Sequence, residues 1–366
     1  MKRVTTTLGA AAALAMSVSA AQALELTYGS YTSPTHTTYI NGVFPTFDRI
    51  TKRTSGELTF EKFTGGAMGG PKELLGNVKN NILDSASVVD IYNKAALPVS
   101  AMLSSMIIIG DDPKVMAAAM NEMQLLHCPE CKKERDKSNV VGLSWSATGS
   151  YHVICKDPIK GLADLQGLKI RATSSVGVAM KAIGAAPVSI TTAEMYEALQ
   201  RGQIKCVAGA TAWLNTYNLK DFAKGAWTNS LGSYFGTMNL AMNRDVWDDL
   251  DTKFQDAIKS EMAQNVADIM WAYVEDNEKG VELLREKGGD VRVADQAFLD
   301  AWKAQQDLAF ENAIAKAKAD GIENAEETIA TFQGLIAKWT KIVAETGNDK
   351  DAYRQALQDE IFSKAM

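Results

Sequence analysis

A two-lobed α/β fold is what this sequence predicts, and three observations predict it. Strand-like and helix-like runs alternate between residue 24 and about residue 92, and alternate again between about 150 and 210. No Pro- or Ser-rich linker separates the two runs. An amphipathic helical stretch long enough to reach both comes after them. A chain of 366 residues has room for two domains of ordinary size, each with its own core.

The amino terminus belongs to neither lobe. Lys2 and Arg3, an Ala-rich apolar stretch from Leu8 to Val18, and Ala21-Gln22-Ala23 are the three parts of a cleavable export signal. The apolar stretch, about eleven residues, is too short to be kept as a membrane span. Cleavage after Ala23 is expected to release a soluble, monomeric protein of about 340 residues into the periplasm. The formal net charge of −6, more negative once Lys2 and Arg3 leave, argues against nucleic acid or an anionic membrane as partner.

The first lobe is read as 24–148 plus about 238–276. It opens with a strand, LELTYGSY, and a helix from Thr37 with Ile40, Val43, Phe44 and Phe47 at helical spacing. A second strand, LTFEKFT, runs into the glycine-rich loop Gly65–Gly70. A helix over Lys72–Asn80 and a third strand, ASVVDIY, follow. This order predicts a parallel sheet with helices on both faces.

The second lobe is read as 149–237 plus about 277–366, with helices filling the carboxyl terminus from Gln296. Its strands are Ser150–Cys155, LKIRAT, Pro187–Ile190 and IKCVAGA, with helices over Ser175–Ile183 and Ala193–Arg201. The apolar strand FGTMNLAMN leads back to the first lobe. The stretch from about Val246 to Leu284 has helical periodicity throughout; about 40 residues at 1.5 Å each would give about 60 Å, enough to brace both lobes. Two such units place a crevice at the carboxyl ends of their strands, where open α/β sheets bind ligands.

Four cysteines in an exported chain point to disulfides. Three pairings exist. Cys128–Cys131 with Cys155–Cys206 is favoured, because the second pair lies in two strand-like runs. A lone C-x-x-C is too little for zinc, Lys132 stands where haem attachment needs His, and the polar stretch CPECKKERDKSN reads as a loop, not the helix start of a redox motif. No metal or cofactor is expected.

The segment 163–202, ADLQGLKIRATSSVGVAMKAIGAAPVSITTAEMYEALQRG, carries three blocks in order: Asp164, Gly167, Lys169 and Arg171; Gly184, Ala185 and Pro187; Glu194, Tyr196 and Ala198-Leu199-Gln200. It resembles the signature region of the solute receptors of tripartite ATP-independent periplasmic (TRAP) transporters, the DctP family. The likeness extends to the first strand and helix and to the long helix. The resemblance implies a two-lobe periplasmic binding protein fold (type II-like), strands passing between the lobes, a long helix spanning both, and membrane permease subunits as partners. It also implies that Arg171 holds a ligand carboxylate. The chemistry agrees: a guanidinium fork matches a carboxylate in two parallel hydrogen bonds.

Two positions depart from the family pattern. Tyr151 stands where some members carry a second arginine, and Thr211 where an asparagine is common. The pocket is therefore expected to prefer a less highly charged solute than a sialic acid or a dicarboxylate, a small organic acid such as an aromatic or hydroxylated monocarboxylate. Tyr151, Trp213 and Phe235 are expected to line it. From the first lobe, strand ends offer Tyr31, Thr32, His36, Gly69, Val89, Asp90 and Tyr92, and the returning strand offers Asn239. Asp90 beside Arg171 would instead favour a zwitterion or amino alcohol; a sulfonate or a sensor partner is a further alternative. An enzyme is disfavoured: there is no G-x-S-x-G elbow, and the three histidines form no cluster with acids.

Overall fold

In a computed structural model, which describes residues 23–365, the chain forms two mixed six-stranded sheets, one per lobe. The expected export signal, through Gln22, lies outside the described residues. The first lobe opens with β1 (Leu24–Gly29), β2 (Leu58–Phe63) and β3 (Ser85–Val89), joined through helices Phe44–Arg53 and Leu74–Lys79. β4 (Val140–Gly142) and β5 (Trp145–Ser146) precede the crossing. The second lobe holds β6 (Tyr151–Cys155), β7 (Lys169–Arg171), β8 (Ala186–Val188), β9 (Cys206–Ala210) and β10 (Gly225–Trp227). β11 (Thr237–Asn243) returns to the first sheet, and β12 (Asp290–Arg292) joins the edge of the second. Strand orders are β2-β1-β3-β11-β4, with β5 also on β11, and β12-β10-β6-β9-β7-β8.

The sheets are not wholly parallel, as the alternation predicts. β1 pairs in parallel with β2 and β3, but β11 runs antiparallel to β3, β4 and β5, and β6 antiparallel to β9 and β10. Crossing explains it. A strand that enters a lobe from its partner starts at the cleft and runs away from it, while strands that end at the cleft run the other way. Val89 and Arg171 at strand ends, and Tyr151 and Thr237 at strand starts, therefore meet at one place.

The expected long helix is broken into Arg244–Asp249, Thr252–Lys259 and Met262–Glu286. Leu250 is extended (φ −68°, ψ 135°), which ends the first piece. Glu261, at the second break, is held by Arg49 and Arg53 of the first lobe. The last piece, 25 residues or about 37 Å, still spans both lobes. Its Asn265 bonds Ser144 and Thr46 in the first lobe, at 3.0 and 3.1 Å. Its Asn277 accepts from the Ala212 N–H at 3.0 Å and donates to the Ser150 carbonyl at 2.9 Å in the second. Gly280 lies so close to the Thr211 carbonyl that a Cβ there would overlap it.

The carboxyl-terminal helices divide between the lobes, contrary to their placement with the second. Helix Gln296–Asp307 packs on the second sheet, with Phe298 4.6 Å from the Trp227 ring. From Ala325 onward the chain packs on the first lobe. There Trp339 donates from Nε1 to Glu122 at 2.6 Å, and Tyr353 donates to the Lys114 carbonyl at 2.8 Å.

Both disulfides form as favoured. Cys155 and Cys206 sit directly opposite each other on β6 and β9, closing a separation of 51 residues. The C-x-x-C stretch is not a loop: Pro129–Lys137 is a helix with Cys128 at its N-cap and Pro129 at its first turn. Its buried face is Cys131, Glu134 and Arg135, so no apolar period announced it. Both cysteines of this pair are buried (3% and 0% exposed), which opposes thiol exchange with a partner. Loop entropy predicts that Cys155→Ala with Cys206→Ala costs about 4 kcal/mol, and Cys128→Ala with Cys131→Ala less than half of that. Urea unfolding of the two double variants checks the order.

Candidate functional site

Between the lobes lies a cavity of about 40 Å³ whose lining is drawn from both. From the first lobe come Tyr31, Thr32, His36, Val89 and Tyr92; from the second come Tyr151, Arg171 and Trp213. The sequence pointed to all eight. A wider groove of about 860 Å³ lies between helices Pro98–Ser104, Ser174–Ala182 and Ala309–Ala319. Its walls are mostly small and aliphatic, and it holds no buried charge. The smaller cavity holds one.

That charge is Arg171, 1% exposed at the end of β7. Its Nε donates to the Ile190 carbonyl at 3.2 Å, Nη1 to the Ala208 carbonyl at 3.4 Å, and Nη2 to the Tyr92 hydroxyl at 3.3 Å. Its guanidinium lies 5.8 Å from the centre of the Trp213 ring. Every one of these partners is neutral. Among the described residues no carboxylate makes an ion pair with Arg171; Glu194, near enough to be felt, is exposed and turned to the N–H and hydroxyl of Thr191, at 2.8 and 2.6 Å. A buried ion without a counter-charge costs several kcal/mol. Three of the five guanidinium N–H groups are used, which leaves two for another acceptor.

The walls are aromatic panels set at steep angles. Tyr151 meets Trp213 at 63°, Trp213 meets Tyr217 at 89°, and His36 meets Tyr217 at 67° and Tyr273 at 76°. Burial pushes the phenols of Tyr31, Tyr151, Tyr217 and Tyr273 up, so they stay neutral and can donate. The Trp213 indole N–H is buried and unpartnered among the described residues. His36 accepts from the Thr38 N–H at Nδ1, 3.3 Å, which leaves the proton on Nε2 towards Tyr273 at 3.4 Å.

Five expected residues stand outside the lining. Asp90 is fully buried behind it, both oxygens unpartnered among the described residues, and burial followed by repulsion from Glu134 pushes its carboxyl well up. It turns away because Val89 and Ile91, its neighbours, take the cavity side. Phe235 packs on Phe332 of the carboxyl-terminal helices, with ring centres 5.6 Å apart. Thr211 donates to the Asn277 carbonyl at 2.7 Å, and Asn239 accepts from Ser146 at 2.7 Å while donating to Asn265 at 3.3 Å. These two fasten the lobes to the bracing helix. Gly69 (φ +112°) makes a turn against Glu73 and Asn77 that does not reach the cavity.

Other lining residues escaped the sequence reading, among them Tyr39, Thr192, Tyr217, Tyr234 and Tyr273. Tyr217 carried a signal, four residues after Trp213. Thr192 lies two residues before Glu194, where the third block begins. Tyr39 and Tyr273 sit on helices, where an aromatic reads as core.

A family model described as bacterial extracellular solute-binding protein, family 7 (DctP), matches residues 28–317. The chain belongs to this family. Its members are solute-binding proteins and not enzymes. A relative over most of its length is the 2,3-diketo-L-gulonate-binding periplasmic protein YiaO of Escherichia coli, 26% identical over 309 residues, 82% of this chain and 91% of that protein. The C4-dicarboxylate-binding periplasmic protein DctP of Rhodobacter capsulatus is 25% identical over 155 residues, 42% of this chain and 46%, about half, of its own length. Among solved structures, a TRAP solute-binding protein of Rhodoferax ferrireducens in complex with copurified benzoate matches with a TM-score of 0.78 at 18% identity, covering 87% of this chain and 99% of that one. One from Bordetella bronchiseptica with bound (R)- and (S)-mandelate matches with a TM-score of 0.74 at 23% identity, covering 86% and 99%. The fold is that of the TRAP receptors.

Burial holds the His36 imidazole down to about 4 from its ordinary 6.5. Between those values the unfolded chain takes up a proton that the folded site refuses. Stability present above pH 6.5 is therefore lost as the pH falls towards 4, by up to about 1.4 kcal/mol per unit for this one group. Urea unfolding at pH 7, 6 and 5 should show a slope shallower by that amount in His36→Gln; an unchanged slope would mean that His36 is solvated.

Proposed function

We propose that this chain is the periplasmic receptor of a TRAP transporter, exported by the signal ending at Ala23. It captures a small organic acid with one carboxylate between its lobes on Arg171, and delivers it to the membrane permease. The observation that carries this reading is Arg171 itself, a buried cation with neutral partners only, in a cavity to which both lobes contribute. One anionic group brings the site to neutrality, and a guanidinium matches a carboxylate in a two-bond fork. A dicarboxylate would bring a second charge for which the lining holds no second cation.

The remainder of the ligand meets rings and hydroxyls, which supports an aromatic or hydroxylated acid. The benzoate and mandelate held by the two similar structures are acids of that kind. An amine or zwitterion finds less support, since no acidic residue lines the cavity and Asp90 stands outside it. A sulfonate shares the acid geometry and is separated by experiment.

Thermal shift across carboxylates, sulfonates, amino acids, amines and polyols tests the class, and calorimetry with the best binder tests the residue. Carboxylates should raise the melting temperature. Arg171→Gln should weaken the best of them about a hundredfold or more, as truncating one side of a buried charge pair does. Stabilisation by amines or neutral polyols alone, or an unchanged Kd in Arg171→Gln, contradicts the reading.

A further inference from the structure

The Tyr92 hydroxyl does something that no neighbouring tyrosine does. It lies on the first lobe, in the single turn Asp90–Tyr92 that follows β3, and two donors of the second lobe converge on its oxygen. Arg171 Nη2 donates to it at 3.3 Å, and the Thr192 backbone N–H donates to it at 3.1 Å. Both bonds make the phenol oxygen an acceptor. A phenol is a weak acceptor, and hydrogen bonds from these donors to an ionised oxygen are shorter and about twice as strong.

We propose that the Tyr92 oxygen and an oxygen of the ligand's acid group compete for the same two donors. The acid displaces it and takes both donors, Arg171 and the Thr192 N–H. This rests on the reading that Arg171 receives the acid, and it adds Thr192 as the second anion donor and Tyr92 as the residue that sets the threshold for binding. Space supports the displacement. With Tyr92 in place the cavity is about 40 Å³, well under the roughly 150 Å³ that holds a benzene ring.

The same contact latches the lobes. The Thr192 hydroxyl adds to it, bridging to Tyr31 of the first lobe at 3.0 Å and to Tyr217 at 3.2 Å. A ligand must therefore offer a better acceptor than a phenol to gain from opening the latch. A carboxylate or sulfonate does; a neutral alcohol of the same shape does not. Closure without ligand also lowers apparent affinity by the fraction of protein left open to receive it.

The test is small-angle scattering of the unliganded mature protein and of Tyr92→Phe, which keeps the ring and removes the acceptor. The wild type should be the more compact, and Tyr92→Phe should have a larger radius of gyration and bind benzoate several-fold more tightly. Thr192→Pro approaches from the donor side. It removes the N–H at a first helical position, after a Thr191 whose ψ of 165° suits a residue preceding proline, so the fold tolerates it. It should open the unliganded protein as well, yet bind benzoate about tenfold more weakly than Thr192→Ala, which keeps the N–H. Scattering curves of Tyr92→Phe and Thr192→Pro that superimpose on the wild type overturn the proposal. Benzoate binding that survives in Arg171→Gln would instead overturn the carboxylate reading beneath it.

Discussion

A guanidinium shut into a protein interior without a carboxylate is the constraint on which the rest of this structure turns. Left alone it costs several kcal/mol, and a fold keeps such a group only if something else repays the cost. Two backbone carbonyls, a phenol and an indole face supply partial compensation around Arg171. None of them neutralises it. The site is thus short of one negative charge, and on the proposed reading the ligand's acid group supplies it.

The architecture keeps that deficit in position. Arg171 ends a strand that is clamped between β8 and β9, and β9 is pinned to β6 by Cys155–Cys206. β6 begins at Tyr151, so one covalently stapled strand pair sets both Tyr151 and the Ala208 carbonyl that receives Arg171 Nη1. Across the cleft, β3 and β11 deliver Val89, Tyr92 and Thr237 to the same plane. The helix Met262–Glu286 joins the halves through Asn265 at one end and Asn277 at the other, and lends Tyr273 to the wall between them. Asn239 and Thr211 belong to this joinery, not to the pocket lining.

Much of this was legible in the chain before any coordinates. Strand runs flanked by turns placed eight of the twelve strands, and strand ends carry the site, so Val89 and Tyr92 follow from position, whereas Arg171 and Tyr151 follow from the resemblance to the TRAP receptors. Where the reading failed, it failed for physical reasons. Periodicity continues across both breaks, because two extended residues (Leu250 and Asp251) at the first and a turn at Ser260–Glu261 that stays in the helical region at the second leave the apolar spacing intact. The helix after Cys128 buries Glu134 and Arg135, so its inward face looked like solvent. Asp90 and Phe235 sit in strand-end segments like true lining residues, and which side of the backbone faces the cleft is settled by tertiary packing. Tyr39 and Tyr273 were invisible because an aromatic on a helix has the same pattern in a core and in a cleft wall.

The central claim is that a ligand acid completes Arg171. A crystal structure with the tightest binder from an unbiased metabolite screen tests it most directly. An anionic oxygen is expected within about 2.7–2.9 Å of a guanidinium nitrogen of Arg171, between closed lobes. A tightest binder that is neutral or cationic, or an acid group seated away from Arg171, would contradict it.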